Sequence, residues 1–520
     1  MYTKKPEFKW NMIKRDVLRH WPIWVTSFIV YVFVVFLVNS FARGFMSTVT
    51  PYEVTTTIIG SLIELTHFMA FCMGMLAAWA SFGFLGKKKK DFFYEALPFS
   101  RLSLYVNKYL FGMIICLLPC FTMFFIELFQ ILVLSGSFEI VLLLKWLITA
   151  IIEYAFWYSL AVLFMVLCGR FMMAVSCYLV FSFLGIGLRF FLEISNAFCF
   201  VGVSNGFGDG NSVLGIFSPV EYINSIEITF FRINYDLNES SNVFMDGAAG
   251  KYVVIFITGI LIAVVSYLLY TKRKEERTED NIVFNGMKIV FSSIVTFFGN
   301  IYLAAITYTI IFYNNDNRIA HKPAERVKLI ILVAVIGFFG YLISSMIVEK
   351  KLKIFKSHCL KALIFTVIIS LIGIGYLHDV FNIEGYVPDT EDIDYININA
   401  HDSIYKELYK TIGKERSVIK IYNKETIKVI TEIHEIITDN IEDIVNTPYN
   451  QGLDYYSFHF TYELKNGSTV SRSYVVREKS GLFNKLQEYI MENIDVLAAG
   501  IEPPKSNDQP GNVENSSWGF

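Results

Sequence analysis

The sequence predicts a polytopic α-helical membrane protein of about nine transmembrane helices with a C-terminal extracytoplasmic α+β domain. Of its 520 residues, 54% are hydrophobic and 18% are charged, whereas a soluble domain contains about 25% charged residues. Apolar runs of roughly 20 residues, long enough to cross a bilayer, recur through residues 1–380. The remaining part is polar and alternates as strands do. This composition excludes a soluble enzyme, a basic nucleic-acid-binding protein and a disordered chain.

Nine apolar runs are expected to cross the lipid bilayer. They cover residues 22–41, 62–86, 109–134, 141–168, 171–194, 251–270, 287–312, 327–348 and 360–379. The first six, in residues 22–270, form a helical core with an extracellular loop at 195–250, and residues 271–379 add three helices. Residues 1–21 are predicted to form a cytoplasmic amphipathic helix. One face of that helix carries Trp10, Ile13, Val17 and Trp21.

Clusters of Lys and Arg predict the orientation, because loops rich in these residues stay in the cytoplasm. Such clusters occur at the N-terminus and after the second, sixth and eighth expected spans. They include Lys4, Lys5, Lys9, Lys14, Arg15, Arg19, Lys87, Lys88, Lys89, Lys90, Arg101, Lys108, Lys272, Arg273, Lys274, Arg277, Lys350, Lys351, Lys353 and Lys356. A path of nine alternating spans places all four clusters on one side. The N-terminus is therefore predicted to be cytoplasmic, and the C-terminal domain extracytoplasmic.

Residues 380–501 are predicted to form the small α+β domain. Its expected strands are 393–399, 418–422, 455–464 and 469–476, and its expected helices are 424–440 and 482–497. Asn466-Gly467 is a strong signal for a hairpin turn between the last two strands. None of the seven cysteines lies in this domain, so no disulfide framework is expected. Residues 502–520 are rich in Pro, Asn, Gly and Ser and are predicted to be disordered.

Five polar side chains inside the expected spans are candidates for a substrate path. They are Glu64 and His67 in the second span, Glu127 and Gln130 in the third, and Glu153 in the fourth. Charged groups in hydrocarbon are costly, and usually face the bundle interior or a water-filled cavity. Two interpretations stay open: a polar seam that lines or gates a path, and polar contacts that hold packed helices together. No Cys or His cluster predicts a metal site.

The segment 87–112 carries the clearest candidate for a docking element. On a helix, Phe92, Phe93, Ala96 and Leu97 form one apolar face, with Asp91 and Glu95 beside it. Pro98 is expected to stop this helix, and Ser100 to cap the next one. A short helix with exposed aromatic side chains suits a groove on a partner protein. The alternative is an interfacial helix that rests on lipid headgroups.

Several short motifs occur in a characteristic order. Glu95-x-Leu97-Pro98-x-Ser100-Arg101 follows two spans, and Lys108 and Gly112 come after it. Later motifs are Glu276-Arg277-x-Glu279, the KKLKIF segment from Lys350 to Phe355, and Asp379-x-x-x-x-Glu384-x-x-x-Pro388. This order resembles that of bacterial ABC-2-type transporter permeases. The resemblance is greatest to the long Gram-positive permeases of acetoin-utilisation and antibiotic-stress operons, which carry a C-terminal soluble domain.

The resemblance implies a non-catalytic permease subunit of an exporter in a bacterial plasma membrane. A separate ATPase would contact a coupling helix formed by Phe92, Phe93, Glu95, Leu97, Pro98, Ser100 and Arg101. ATP and Mg would be bound by that partner, because the chain contains no GxxxxGK[ST] motif. The other expected partners are the lipid bilayer and a second permease copy or a related permease, and no nucleic acid is expected. The cargo would be an antibiotic, a peptide or an amphiphile.

Two other functions stay open. The chain is alternatively a sensor or a force-transmitting complex that acts through its extracytoplasmic domain without transport. An intramembrane enzyme is a third possibility, and it rests only on Glu64 and His67, which stand one helical turn apart.

Overall fold

The structure is a computed structural model of the chain. It describes residues 10–45, 51–134, 140–207, 218–223, 248–274, 277–278, 280–312, 319–352, 355–399, 418–446, 455–466 and 468–499. These residues belong to two compact units. The first unit comprises Met1–Ile186, Gly215–Gly299 and Phe338–Phe365, and the second comprises Gly187–Leu214, Asn300–Gly337 and Thr366–Phe520. The predicted disordered tail, 502–520, lies outside the described residues.

Besides a short helical segment at 219–223 and two 3-10 turns, twelve α-helices precede the C-terminal domain in the part of the chain that the structure describes. They are α1 Trp10–Arg19, α2 Trp21–Phe45, α3 Pro51–Phe82, α4 Lys88–Glu95, α5 Arg101–Leu134, α6 Ile140–Leu167, α7 Phe171–Ser182, α8 Leu184–Cys199, α9 Ala248–Lys272, α10 Asn285–Phe312, α11 Pro323–Glu349 and α12 Phe355–Leu377. Helices α8, α10, α11 and α12 contribute residues to both units. The helices coincide with the nine expected spans, plus the predicted N-terminal helix and the short helix of segment 87–112.

Seven described helices are long and apolar enough to cross a membrane: α3, α5, α6 and α9 to α12. The count rises to nine if each of two bent pairs forms one span. The first pair is α1 with α2, which meet at an angle of 58°. The second is α7 with α8, which is broken at Phe183. A multi-pass helical protein is therefore confirmed by length and composition. The fifth expected span, 171–194, is not one continuous helix.

The core of the first unit forms where α3 packs closely against α6. A Cβ atom on Gly74 of α3 would lie 2.8 Å from the backbone carbon of Trp157 on α6, which is closer than real contacts allow. The indole of Trp157 meets the ring of Phe71 edge-on, with their centroids 5.0 Å apart. Phe71 in turn stacks on Tyr178 of α7. A small residue thus lets two helix backbones approach, as is common between membrane helices.

The second unit contains one antiparallel five-stranded sheet among its described residues. Its strands are β1 Val203–Phe207, β2 Ile393–Asn399, β3 Val418–Ile421, β4 Tyr455–Leu464 and β5 Thr469–Arg477, in the order β1-β5-β4-β2-β3. The accompanying helices are α13 Lys424–Asp439, α14 Ile441–Asn446, α15 Gly481–Glu492 and α16 Ile494–Ala499. The isoleucine stripe of α13 and the inward residues of β4 share one buried core. The strands β2 to β5 and the helix α13 form where the sequence predicts them. Helix α14 was not predicted, and the single helix predicted at 482–497 is divided at Asn493 into α15 and α16.

Strand β1 is the unexpected member of this sheet. It lies in the region 195–250, which the sequence predicts only as a loop, and it pairs with β5. Gly202 precedes it with a φ of 77°, and a side chain there would collide with the ring of Tyr474. The carbonyl of Gly202 accepts the N–H of Ser473 at 2.8 Å. The domain predicted at 380–501 therefore takes one edge strand from a distant part of the chain.

Candidate functional site

Helix α4 ends before Pro98, as the sequence predicts, but Ala96 and Leu97 of the predicted apolar face lie beyond its last residue, Glu95. It follows a short 3-10 turn at Gly83–Gly86, and its last residue, Glu95, precedes Pro98 by three positions. The hydroxyl of Ser100 accepts the N–H of Ser103 at 3.1 Å, which caps the start of α5. Arg101 at this start is exposed, and its guanidinium donates to the carbonyl of Thr271 at 3.0 Å. The segment is therefore connected to the end of α9.

The outer side of α4 presents two aromatic rings. Phe92 is 55% exposed and Phe93 is 63% exposed. Ala96 and Pro98 are also exposed, whereas Leu97 is half-buried. The side chain of Glu95 lies outside the described residues. Four residues were predicted to form one apolar face, but Leu97 turns partly inward while the two phenylalanines and Ala96 point outward.

The inner side of α4 is fixed to the helical bundle. Asp91 was predicted to lie beside the apolar face; instead it is buried, and its Oδ2 accepts the hydroxyl of Thr278 at 2.7 Å. Burial raises the pKa of the Asp91 carboxyl above its ordinary value, and the hydrogen bond from Thr278 opposes that shift. The Tyr94 ring packs against that of Phe84, with their centroids 4.5 Å apart. One side of this short helix is thus anchored to the bundle, and the other side is exposed.

Arg273 joins the ends of two helices beneath α4. Its Nη2 donates to the carbonyl of Leu85 at 2.7 Å, just after α3. Its Nη1 donates to the carbonyls of Val166 at 2.8 Å and Cys168 at 3.1 Å, at the end of α6. Burial lowers the pKa of the guanidinium, and the charge of Asp91 opposes this. A cation at helix C-termini satisfies orphan carbonyls and complements the helix dipoles. The sequence shows this residue only as one of a basic cluster.

An ion pair connects the N-terminal helix to α5 at the same place. Nζ of Lys108 lies 2.7 Å from Oδ2 of Asp16, and both side chains are buried. The ammonium also donates to the Tyr94 hydroxyl at 3.3 Å, so the pair contacts α4. Ile13 and Asp16 form the inward face of α1, whereas Trp10 and Trp21 are exposed. Of the predicted common face, Ile13 and Val17 pack against the bundle, whereas Trp10 is exposed and Trp21 belongs to α2.

Three of the five intramembrane candidates have described side chains. Nδ1 of His67 on α3 lies 2.6 Å from Oε2 of Glu153 on α6. The Tyr252 hydroxyl on α9 donates to the other oxygen of Glu153 at 3.2 Å. Glu127 is fully buried, and neither of its carboxylate oxygens has a hydrogen-bond partner among the described residues. The side chains of Glu64 and Gln130 lie outside the described residues. Glu153 thus joins three helices.

The same part of the first unit contains further polar contacts between helices. The hydroxyls of Tyr31 and Tyr154 are hydrogen-bonded, which connects α2 with α6. The indole N–H of Trp146 donates to the hydroxyl of Thr66 at 3.2 Å. Sequence reasoning missed these residues, because tyrosine, tryptophan and threonine are common in apolar helices and give no charge signal. No group of three or more potential metal ligands occurs among the described residues.

Comparisons of the chain with protein-family models, with curated proteins and with solved structures find no match. The proposals below therefore rest on the residues and on their geometry.

Proposed function

We propose that the chain is the membrane-spanning subunit of an ATP-binding cassette exporter in a bacterial plasma membrane. A separate ATPase subunit would bind ATP and Mg, and this chain would be non-catalytic. The supporting observation is the asymmetry of α4: Phe92 and Phe93 are exposed, while Asp91 and Tyr94 on the other side are fixed to the bundle. Exposed aromatic anchors on a short helix suit a groove on a partner protein.

The contacts of α4 provide a route for mechanical coupling. A displacement of α4 reaches Thr278 through Asp91, and reaches α5 and α1 through Tyr94, Lys108 and Asp16. Arg273 interacts electrostatically with Asp91, and its hydrogen bonds hold the ends of α3 and α6. A force applied by the ATPase would therefore act on several helices together, which is what alternation between two packed arrangements requires.

The polar contacts inside the bundle are the contacts that would rearrange when the ATPase displaces α4. Glu153 bonds to residues of α3 and α9, so relative movement of these helices would break or exchange those bonds. Glu127 is buried without a described partner, and a buried carboxyl of this kind is costly unless another group or water approaches it. The cargo class proposed is an antibiotic, a peptide or an amphiphile. Either a second copy or a related permease would complete the pathway.

Co-purification of an ATPase tests this function directly. The full chain is affinity-purified from its native membrane, and bound proteins are identified by mass spectrometry. Phe93→Ala removes one anchor, which commonly costs about 2 kcal/mol or more, so ATPase recovery should fall more than tenfold. Glu95→Lys should weaken recovery as well, if the carboxylate contacts a basic residue. Lys88→Ala is the matched control, because Lys88 lies on the same helix and serves only as a positive charge.

Two results would contradict the proposal. One is the absence of any ATPase from a complex that retains its native function. The other is an ATPase complex in which Phe93→Ala and Glu95→Lys bind and couple as the unaltered chain does. Insertion of each variant is verified first by its yield in the membrane fraction.

A sensor or force-transmitting function is the second candidate, and β1 is the observation that favours it. The sheet is connected to α8 through β1, and Glu384 strengthens this connection by accepting the N–H of Val201 at 2.5 Å. His321 lies 2.9 Å from the other oxygen of Glu384. A ligand that pulls on the C-terminal domain would thus act on α8. Transport that persists after removal of residues 381–520 would favour the exporter. If the full chain transports nothing and the truncated chain loses its response to a ligand, the sensor would be favoured.

A further inference from the structure

The ends of α10, α11 and α12 enclose a polar cavity of about 210 Å³ within the first unit. Helix α10 begins at Asn285, α11 ends at Glu349 and α12 begins at Phe355, so these three ends lie together. The cavity is smaller than the roughly 300 Å³ that drug-sized ligands need. Its size therefore suits one polar group rather than a whole cargo molecule.

The charge around this cavity is positive. Lys288 of α10 and Lys361 of α12 both line it, and neither ammonium has a carboxylate within ion-pair distance among the described residues. The one acidic lining residue, Glu349, is engaged: its Oε1 lies 3.1 Å from Nε2 of His358. Two lysines with no described counter-ion therefore face a cavity whose carboxylate already has a partner.

The rest of the lining is suited to an oxyanion. Ser292 and Ser345 are buried and line the cavity with hydroxyl-bearing side chains. The N-termini of α10 and α12 add the positive ends of two helix dipoles, and the C-terminus of α11 at Glu349 adds one negative end, so the helix ends leave the lysines as the dominant charge. Ile289, another lining residue, is 47% exposed and continues onto the apolar outer side of α10. One cavity thus combines a polar interior with an apolar margin.

In a bilayer spanned by these helices, this position would correspond to the headgroup level. The three helices are apolar enough to span a membrane, and the cavity lies at their ends beside the exposed Lys351 and Lys356. Basic pockets between membrane helices bind the headgroups of anionic lipids. We propose that this cavity binds the phosphate of an anionic phospholipid, with Lys288 and Lys361 as its cationic partners and the acyl chains along the apolar side of α10. The apolar margin at Ile289 favours a lipid over free phosphate. The proposal does not depend on the exporter function.

Native mass spectrometry of the full chain in a neutral detergent tests the proposal. Phosphatidylglycerol is titrated against phosphatidylcholine, and the fraction of lipid-bound protein is measured. Each lysine near such a site contributes about fivefold, so Lys288→Gln with Lys361→Gln should weaken phosphatidylglycerol binding about 25-fold. The control, Lys351→Gln with Lys356→Gln, removes the same charge from exposed positions that do not line the cavity. It should change binding by about twofold or less.

Three outcomes would overturn the proposal. They are unchanged phosphatidylglycerol binding in the Lys288→Gln, Lys361→Gln variant, equal binding of phosphatidylcholine by the unaltered chain, and displacement of the lipid by millimolar inorganic phosphate. The last outcome would identify a site for free phosphate. Lys361→Gln alone alters an exposed side chain and should fold; it should weaken binding about fivefold. Arg at both positions should preserve it.

Discussion

At the scale of single residues, the pair between Lys108 and Asp16 has the largest expected energetic consequence. The side chains are only 4% and 9% exposed, so each charge depends on the other and on the Tyr94 hydroxyl. Removing one member of a buried pair strands the other charge, whereas replacing both with apolar residues of similar volume is often neutral. The two kinds of substitution should therefore differ greatly in effect.

Lys108→Met alone should destabilise the protein by about 3 kcal/mol, because it leaves the Asp16 carboxylate buried without its cation. Lys108→Met combined with Asp16→Leu should recover most of this loss. Thermal unfolding of the full chain in detergent provides the measurement, and Lys14→Met, at an exposed position on α1, is the control. Losses that simply add in the double variant would show that the two side chains act independently.

His434 is the second residue whose effect on stability can be predicted. Its ring nitrogens lie 3.0 Å from the hydroxyls of Tyr462 and Tyr474, so the neutral imidazole donates to one and accepts from the other. Burial, and secondarily the positive charge of Arg472, lowers the pKa of His434 from 6.5 to about 3. The unfolded chain therefore binds this proton more readily than the folded one between these two values.

The free energy of unfolding of the C-terminal domain should fall as the pH falls below about 6.5, by up to about 1.4 kcal/mol for each pH unit. Above this pH, His434 should make the free energy of unfolding neither rise nor fall. Hydrogen exchange of β4 amides in the full chain, between pH 6.5 and 5, measures the slope after correction for intrinsic exchange. His434→Gln should abolish it in this window, whereas His378→Gln, at an exposed histidine, should not. An equal slope in the His434→Gln chain would assign the effect to other groups.

Charge in an apolar run decides which residues of the site could be predicted from the sequence. Glu153, His67 and Glu127 stand out in the sequence because charge is rare in apolar runs, and the structure places all three in the interior of the first unit or at its polar contacts. Asp16 and Arg273 do not stand out, because they occur among other charged residues at helix ends. Their roles depend on which neighbouring helix end comes close, and that is a tertiary property.

At the scale of elements, the close approach of α3 and α6 depends on Gly74. A methyl group at this position would meet backbone atoms of Trp157 at 2.8 Å, and backbone cannot rotate away as a flexible side chain does. The helices would have to separate, and the interdigitated contacts of Phe71 and Tyr178 would loosen with them.

Gly74→Ala should therefore destabilise the helical bundle by about 1–3 kcal/mol, despite the better helix propensity of alanine. Gly299→Ala is the matched control on α10, since no described atom outside its own helix backbone and chain neighbours lies within 4 Å of a Cβ there. It should be neutral or slightly stabilising. Thermal unfolding in detergent, with proteolysis of the loops as a second readout, compares the two variants. Equal stability of both would mean that α3 and α6 tolerate separation.

Element positions were predictable wherever one physical cause dominates. Hydrocarbon thickness determines the length of apolar runs, and Pro98 with Ser100 determines where α4 ends and α5 begins. The break at Phe183 and the inward turn of Leu97 were not predicted. No Pro or Gly occupies position 183, and Pro98 indicates where the helix stops without indicating which way Leu97 faces. Burial of Asp91 was missed for a similar reason: its partner, Thr278, is distant in the sequence.

At the scale of the whole molecule, the sheet constrains topology. Strand β1 precedes α9 and β5 follows α12, yet the two strands pair, so the ends of this four-helix stretch share one side of any membrane. An even number of crossings satisfies this requirement, and the expected nine-span path supplies four between these points. The Lys and Arg clusters predict which side is cytoplasmic.

A single cysteine at Ser468 should react with a membrane-impermeant thiol reagent on intact cells, because the C-terminal domain is predicted to be extracytoplasmic. A cysteine at Lys89, on exposed α4, should react only after permeabilisation. Native thiols are replaced beforehand to give a clean background. Labelling of Lys89→Cys together with protection of Ser468→Cys would reverse the orientation.

The pairing of β1 with β5 also has a consequence for biogenesis. Because chains emerge N-terminus first, β1 in the predicted orientation would be exported first, and its edge would stay open until α9 to α12 had been inserted and β5 had followed. Contacts between such distant segments form slowly, and an open edge attracts wrong partners in the meantime. A chain that skipped one of the four intervening helices would leave the two strands on opposite sides of the bilayer. The sheet can therefore close only on molecules in which all four helices are inserted, and an open edge at β5 would expose defective ones to proteases on that side of the membrane.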